Sequence, residues 1–186
     1  MSKTIKLFLF VFTVIICFSC GNESNSEVIY KTKSGEYASK TGKFIAKFPT
    51  EPVYSIVERE FGHETLEVHA FRTVLGLNKI FAVDYIDYPE AYIKQMSDEE
   101  ILKQAMINYI YQASDSFELD FEKPIEQHGL NGQYFVLRLN ENMSKKGAKG
   151  HVLVQVFKKE NRVYSISYLG HNDKQTGEFL DSFRLF

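Results

Sequence analysis

Residues 97–112 read SDEEILKQAMINYIYQ and combine a helix start signal with a single apolar face. Ser97 and Glu100 have the spacing of a capping box, in which each side chain bonds a backbone amide of the other residue. Apolar residues then recur at helical spacing, and they are Ile101, Leu102, Ala105, Met106, Tyr109 and Ile110. The segment predicts an amphipathic helix, which needs a sheet to cover its apolar face.

Alternating apolar and polar residues on both sides of this helix predict strands. The predicted strands cover 44–48, 54–61, 66–71 and 80–85 before the helix, and 118–127, 133–140, 150–159 and 162–169 after it. Asn131-Gly132 predicts a hairpin turn, and residues 176–183 predict a short helix. Strands, a long helix, more strands and a short helix predict one α+β domain, with a largely antiparallel sheet flanked by the two helices.

The first twenty residues have the features of an export signal. Lys3 and Lys6 precede an apolar run of about a dozen residues, LFLFVFTVIICF at 7–18. A membrane-spanning helix needs roughly twenty apolar residues, so this length fits a cleavable signal peptide better. The run ends in SCG at 19–21, which resembles the lipobox of bacterial lipoproteins. The resemblance implies cleavage before Cys20 and acyl chains on this residue, and two or more chains anchor a protein stably.

These features divide the chain into three predicted parts. A lipoprotein signal peptide covers 1–19, the lipidated Cys20 and a polar tether cover 20–34, and a single α+β domain covers 35–186. An ordinary signal peptide and an uncleaved anchor are the alternatives for the N-terminus. By the same resemblance, a glycine after the cysteine implies sorting to the outer membrane, with the periplasmic or surface face left open. Since both cysteines precede the domain, we expect no disulfide within it.

The charge of the chain argues against nucleic acid as a partner. It has 22 basic and 24 acidic residues, and loss of Lys3 and Lys6 with the signal peptide would leave a net charge of about −4. Nucleic acids and anionic membrane surfaces attract dense basic patches instead. The partners left open are the membrane, through the lipid anchor, and either an envelope protein or an apolar small molecule.

Four packing and turn patterns are spread along the predicted domain. They are G-x-F-x3-F-P-x2-P from Gly42, V-x-Y-x2-Y-P from Val83, N-R-V-Y-x-I from Asn161 and F-L-x-S-F from Phe179. Together they resemble the PsbP-like fold, named for an extrinsic photosystem subunit. The resemblance implies a curved antiparallel sheet flanked by helices. It also implies an accessory, binding or assembly role, and it supplies no shared catalytic residues.

The residues able to carry chemistry follow no known motif. His63 and His69 would share a strand face, and His151 and His171 would meet at one sheet end, but neither pair has common zinc spacing. We interpret them as solvated strand residues, and we expect no metal, cofactor or enzymatic activity. Asp84 is the acidic residue of most interest because it interrupts an apolar strand. A carboxylate that satisfies turn amides is the simpler interpretation of Asp84.

Aromatic residues gather around the predicted long helix. Tyr88 and Tyr92 precede it, and Met106, Tyr109 and Tyr111 lie on it. Tyr88, Tyr92, Met106 and Tyr109 predict a groove for a ligand or partner. We expect a non-catalytic binding or assembly module, with a carrier or sensor of a small apolar ligand as the alternative. A deep pocket would favour the carrier, and a flat apolar patch would favour the partner module.

Overall fold

The computed structural model describes residues 28–61, 64–76, 78–145, 149–171 and 173–186. The strands in these ranges are β1 (Tyr30–Lys31), β2 (Tyr37–Ser39), β3 (Phe44–Ala46), β4 (Val53–Phe61), β5 (Glu64–Leu75), β6 (Lys79–Asp87), β7 (Phe117–Gln127), β8 (Leu130–Leu139), β9 (His151–Lys159), β10 (Arg162–Gly170) and β11 (Arg184–Leu185). The helices are α1 (Glu90–Ile93), α2 (Asp98–Ala113), α3 (Glu141–Lys145) and α4 (Lys174–Ser182).

The strands form two sheets, and every pairing between described strands is antiparallel. The large sheet has the order β4-β5-β6-β10-β9-β8-β7, and the small sheet has the order β1-β2-β3-β11. The antiparallel α+β prediction is confirmed, and the structure adds a second, smaller sheet that the prediction of one helix-flanked sheet did not include. Helix α2 packs on one face of the large sheet, whereas α4 and the small sheet pack on the other. The fold is therefore richer in strands than predicted.

Two hydrophobic cores lie on opposite faces of the large sheet. The aromatic core includes Phe44, Phe71, Phe81, Tyr85, Phe157, Tyr164, Tyr168, Phe179 and Phe183. The helix core includes Ile101, Leu102, Met106, Phe135, Leu137, Val152, Val154, Val156 and Val163. Successive residues of a strand point to opposite faces, so Val154 and Val156 serve the helix core while Leu153 and Phe157 serve the aromatic core. Strand β9 is buried on both faces for this reason.

Helix α2 begins at the predicted capping box. The Ser97 hydroxyl accepts a hydrogen bond from the Glu100 amide at 3.3 Å, and the Glu100 carboxylate accepts one from the Ser97 amide at 2.8 Å. Ile101, Leu102 and Met106 are buried against the sheet. The prediction of an apolar helix face that is covered by the sheet is confirmed at these positions.

The predicted hairpin turn at Asn131-Gly132 is wrong by about three residues. The turn falls instead at His128 and Gly129, whose φ angles are 50° and 75°. Positive φ at both central residues is the requirement of the hairpin turn that follows the twist of the strands. Gly132 lies within β8, where a Cβ atom would stand 2.5 Å from Cδ1 of Phe157. A packing contact, rather than a turn, therefore explains this glycine.

The packed domain begins earlier than the predicted boundary at residue 35. Val28 and Ile29 are buried in the aromatic core, and β1 pairs with β2. The second half of the predicted tether is thus part of the domain, because its two adjacent apolar side chains find core contacts. Cys20 and the predicted signal peptide lie outside the described residues. No helix in the described part of the chain is long and apolar enough to cross a membrane.

Candidate functional site

A single helix covers only part of the helix-side face of the large sheet. Seven strands spaced about 4.8 Å apart make a face roughly 29 Å wide, whereas a helix with its side chains is about 10–12 Å wide. Helix α2 packs on β7, β8 and β9. The part of this face that is formed by β4, β5 and β6 is therefore not covered by α2. A cleft lies there, between the side of the helix and the uncovered part of the sheet.

The cleft has a volume of about 470 Å³. Its floor is apolar and is formed by residues of the four strands β5, β6, β9 and β10, namely Leu66, Val68, Ile86, Val156 and Val163. Sites for small molecules commonly enclose about 300–1,000 Å³ and are lined mainly by apolar side chains. The cleft matches such a site in both size and lining.

Three of the four residues predicted to form a groove line this cleft. Tyr88 and Tyr92 stand on one side with stacked rings whose centroids are 5.4 Å apart. Tyr109 lines it from α2, and its ring also meets Phe135 edge-on at 5.6 Å. Met106 is instead buried in the helix core beneath α2. The groove prediction is therefore wrong for Met106, because this residue lies on the part of the helix that faces the sheet directly.

Asp84 is the least satisfied polar group of the cleft. Its side chain is only 15% exposed, and its Oδ2 lies 3.5 Å from Nη2 of Arg72. Its Oδ1 is buried and has no hydrogen-bond partner among the described residues. Burial raises the pKa of Asp84, an effect that Arg72 and Arg59 only partly offset. The interpretation of Asp84 as a carboxylate that satisfies turn amides is wrong, because the residue lies within β6.

Polar contacts from two other elements border the cleft. The Arg59 guanidinium on β4 donates a hydrogen bond to the Gln112 side chain on α2, and both residues line the cleft. Burial raises the pKa of Tyr109, and its hydrogen bond with Ser167 acts in the opposite direction. The arrangement therefore combines an apolar floor with a few fixed polar groups, which suits binding with a defined orientation.

The predicted histidine sites take different forms in the structure. Nδ1 of His69 and the Tyr54 hydroxyl form a 2.7 Å hydrogen bond. The His69 ring also stacks on the Tyr85 ring, with the two ring centroids 4.5 Å apart. Burial lowers the pKa of His69, while its predicted companion His63 lies outside the described residues. Burial, followed by the charge of nearby His171, lowers the pKa of His151. The described residues include no group of three His, Cys, Asp or Glu side chains able to hold a metal ion.

Sequence reasoning missed a row of stacked side chains formed by Arg162, Tyr85 and His69. Arg162, at one end of the row, also lines a second hollow that is smaller than the cleft. Arg162 lies 4.1 Å above the centre of the Tyr85 ring and makes two 2.6 Å hydrogen bonds to the Asp87 carboxylate. Tyr85 in turn stacks on His69. The row crosses β10, β6 and β5, so only the strand register brings these residues together.

A solved structure has the same architecture. The solution structure of cyanobacterial PsbP (CyanoP) from Synechocystis sp. PCC 6803 covers 91% of this chain and 99% of that chain, with a TM-score of 0.52 and 12% sequence identity. The chain has a PsbP-like fold. At this identity the PsbP-like likeness shows the fold alone and transfers no activity. Neither a protein-family model nor a curated protein matches the sequence.

Proposed function

We propose that this protein is a lipid-anchored binding protein of the bacterial cell envelope that holds a small, largely apolar molecule in the cleft beside α2. The observation that supports the proposal is the cleft itself, with its volume of about 470 Å³, its apolar floor and its tyrosine wall. A concave apolar site with a few placed polar groups is typical of small-molecule binding. The cleft favours the carrier hypothesis over a flat docking patch.

The anchor in this proposal is Cys20, supported by the lipobox pattern at 19–21. Acyl chains on this residue would hold the domain at the outer membrane, because two or more chains anchor stably. The described residues that line the cleft include no histidine, cysteine or lysine.

An envelope protein is the second candidate partner, and a different surface favours it. Strand β7 is an edge of the large sheet, and its Phe121 and Leu119 side chains are 49% and 39% exposed. Edge strands with exposed apolar side chains can pair with a strand of another protein. This interaction would not involve the cleft, so the two functions respond to different substitutions.

The proposal is tested by filling the cleft. Ala105 lines it from α2, and Lys103 is exposed on the same helix. We expect 1-naphthylmethanol to bind the full-length protein in dodecyl maltoside, and we expect Ala105→Trp to weaken this binding at least tenfold. Isothermal titration calorimetry against protein-free micelles measures both affinities. The matched variant Lys103→Trp should bind like the wild type.

The native chain contains no tryptophan, so the fluorescence of each introduced indole reports its own surroundings. The indole at 105 should emit at shorter wavelength than the one at 103, because it is removed from water. Wild-type protein that takes up no probe beyond the micelle blank would contradict the proposal. Equal binding by the wild type and Ala105→Trp would contradict it as well.

A further inference from the structure

Three side-chain amides of α2 line the cleft in one row. They belong to Gln104, Asn108 and Gln112, which are spaced four residues apart in the sequence. Residues with this spacing are neighbours on one side of a helix, about 6 Å apart along its axis, so the row is roughly 12 Å long. The charged residues of α2 are not part of the cleft lining, and they are Asp98, Glu99, Glu100 and Lys103.

The hydrogen bonds within the protein use only part of each amide. Nε2 of Gln104 donates to Oδ1 of Asn108 at 3.0 Å, and the side-chain oxygen of Gln112 accepts from Arg59. A side-chain amide carries two donors on its nitrogen and an acceptor on its oxygen. The amino groups of Asn108 and Gln112 and the oxygen of Gln104 are therefore left for a molecule in the cleft.

The charges at the cleft are balanced. Arg59 and Glu60 contribute one charge of each sign to the lining. Asp84, the other ionisable carboxyl of the described lining, forms an ion pair with Arg72. A charged ligand would therefore meet no excess of opposite charge to offset the loss of its own hydration, and an uncompensated buried charge is costly.

Opposite the amides, the floor of the cleft has a continuous apolar strip. Val163 on β10 pairs in register with Ile86 on β6, and Ile86 pairs with Val68 on β5. The strip crosses three adjacent strands and is therefore roughly 10 Å long. A bound molecule would thus contact apolar side chains of the sheet on one side and uncharged amides of α2 on the other.

We infer that the ligand is an uncharged molecule with an apolar body and a carboxamide group, and that this group pairs with the side-chain amide of Asn108. A carboxamide presents a donor and an acceptor side by side, so a second amide can complement it with two parallel hydrogen bonds. Asn and Gln recognise the adjacent donor and acceptor of adenine in the same way. The inference rests on the proposed function, because it specifies the ligand of the same cleft.

Four probes with one ring system test the inference at pH 7. They are 1-naphthylacetamide, its anionic isostere 1-naphthylacetate, the cationic 2-(1-naphthyl)ethylamine and the uncharged reference 1-naphthylmethanol. Each is titrated by calorimetry into full-length protein in dodecyl maltoside, against protein-free micelles. The carboxamide should bind at least tenfold more tightly than either charged probe and at least threefold more tightly than the alcohol.

A pair of matched variants tests the role of the amide row. Asn108→Leu removes the central amide while keeping the side chain similar in size, and it should abolish the preference for the carboxamide over the alcohol. Asn131→Leu makes the same change at an exposed position on β8 outside the lining, and it should leave this preference unchanged.

The outcomes separate the inference from the proposed function. If either charged probe or the alcohol binds the wild type as tightly as the carboxamide, while Ala105→Trp still blocks binding, the inference fails and the binding function stands. The inference also fails if Asn108→Leu keeps the preference of the wild type, or if Asn131→Leu loses it to the same extent. Absence of binding for all four probes would overturn the proposed function itself.

Discussion

Replacing Leu102 by alanine tests whether its buried stripe holds α2 to the sheet. Leu102 is 7% exposed and belongs to the helix core together with Phe135 and Val152. The substitution removes three carbon atoms, worth about 0.8 kcal/mol each in burial. The close-packed strands beneath the helix limit collapse of the resulting cavity, which adds to the cost. We expect a loss of roughly 2.5–4 kcal/mol in the free energy of unfolding.

A matched control on the same helix is Ile107→Ala, since Ile107 is 44% exposed. Its substitution should cost about 1 kcal/mol or less, because much of the side chain already contacts water. Urea denaturation followed by far-UV circular dichroism measures both losses. For a domain of this size each kcal/mol lowers the Tm by roughly 2–4 °C, so Leu102→Ala should lower it by about 5–16 °C. Equal losses in the two variants would refute the argument and leave the inner face of α2 as an exposed recognition surface.

Two further predictions concern charge and anchoring. Because burial raises the folded-state pKa of Asp84, the contribution of this one residue to stability is fully present below its unfolded-state pKa and is lost as the pH rises through its folded-state pKa. The stability gained by Asp84→Asn should therefore grow as the pH rises above about 4, and urea denaturation that finds a pH-independent difference would disprove this. Cys20→Ala should move the protein into the aqueous phase of a detergent partition, because its acyl chains would be lost. A variant that remains membrane-bound with residues 7–18 still attached would show that this segment is the anchor.

The parts of the fold with local signals could be predicted from the sequence. The capping box at Ser97 and the apolar stripe of α2 involve residues close together in the chain, and strand alternation is equally local. The hairpin turn could not be placed, because Gly132 is required by its contact with Phe157 from another strand. The start of the domain was missed for a similar reason, since Val28 and Ile29 show no periodicity and are held by tertiary contacts.

The site was only partly visible in the sequence. Tyr88 and Tyr109 could be grouped because both lie near the same helix, but the rotation of α2 decides that Met106 faces the sheet instead of the cleft. Asp84 was recognisable as a polar residue in an apolar strand. Its small neighbour Ser165 comes from β10, about eighty residues later, and only the register of β6 with β10 brings them side by side.

The burial of Val28 limits how far the domain can stand from its proposed anchor. Eight residue steps separate Cys20 from Val28, and an extended chain advances at most about 3.6 Å per residue. The first core residue therefore lies within roughly 29 Å of a lipid-bearing Cys20, a distance comparable to the thickness of the hydrocarbon core of a bilayer. A tether that extended to residue 34 would have allowed nearly twice this reach. An anchor at Cys20, as proposed, would thus keep the domain at the membrane surface, where it would meet molecules that are present at that surface or leave it.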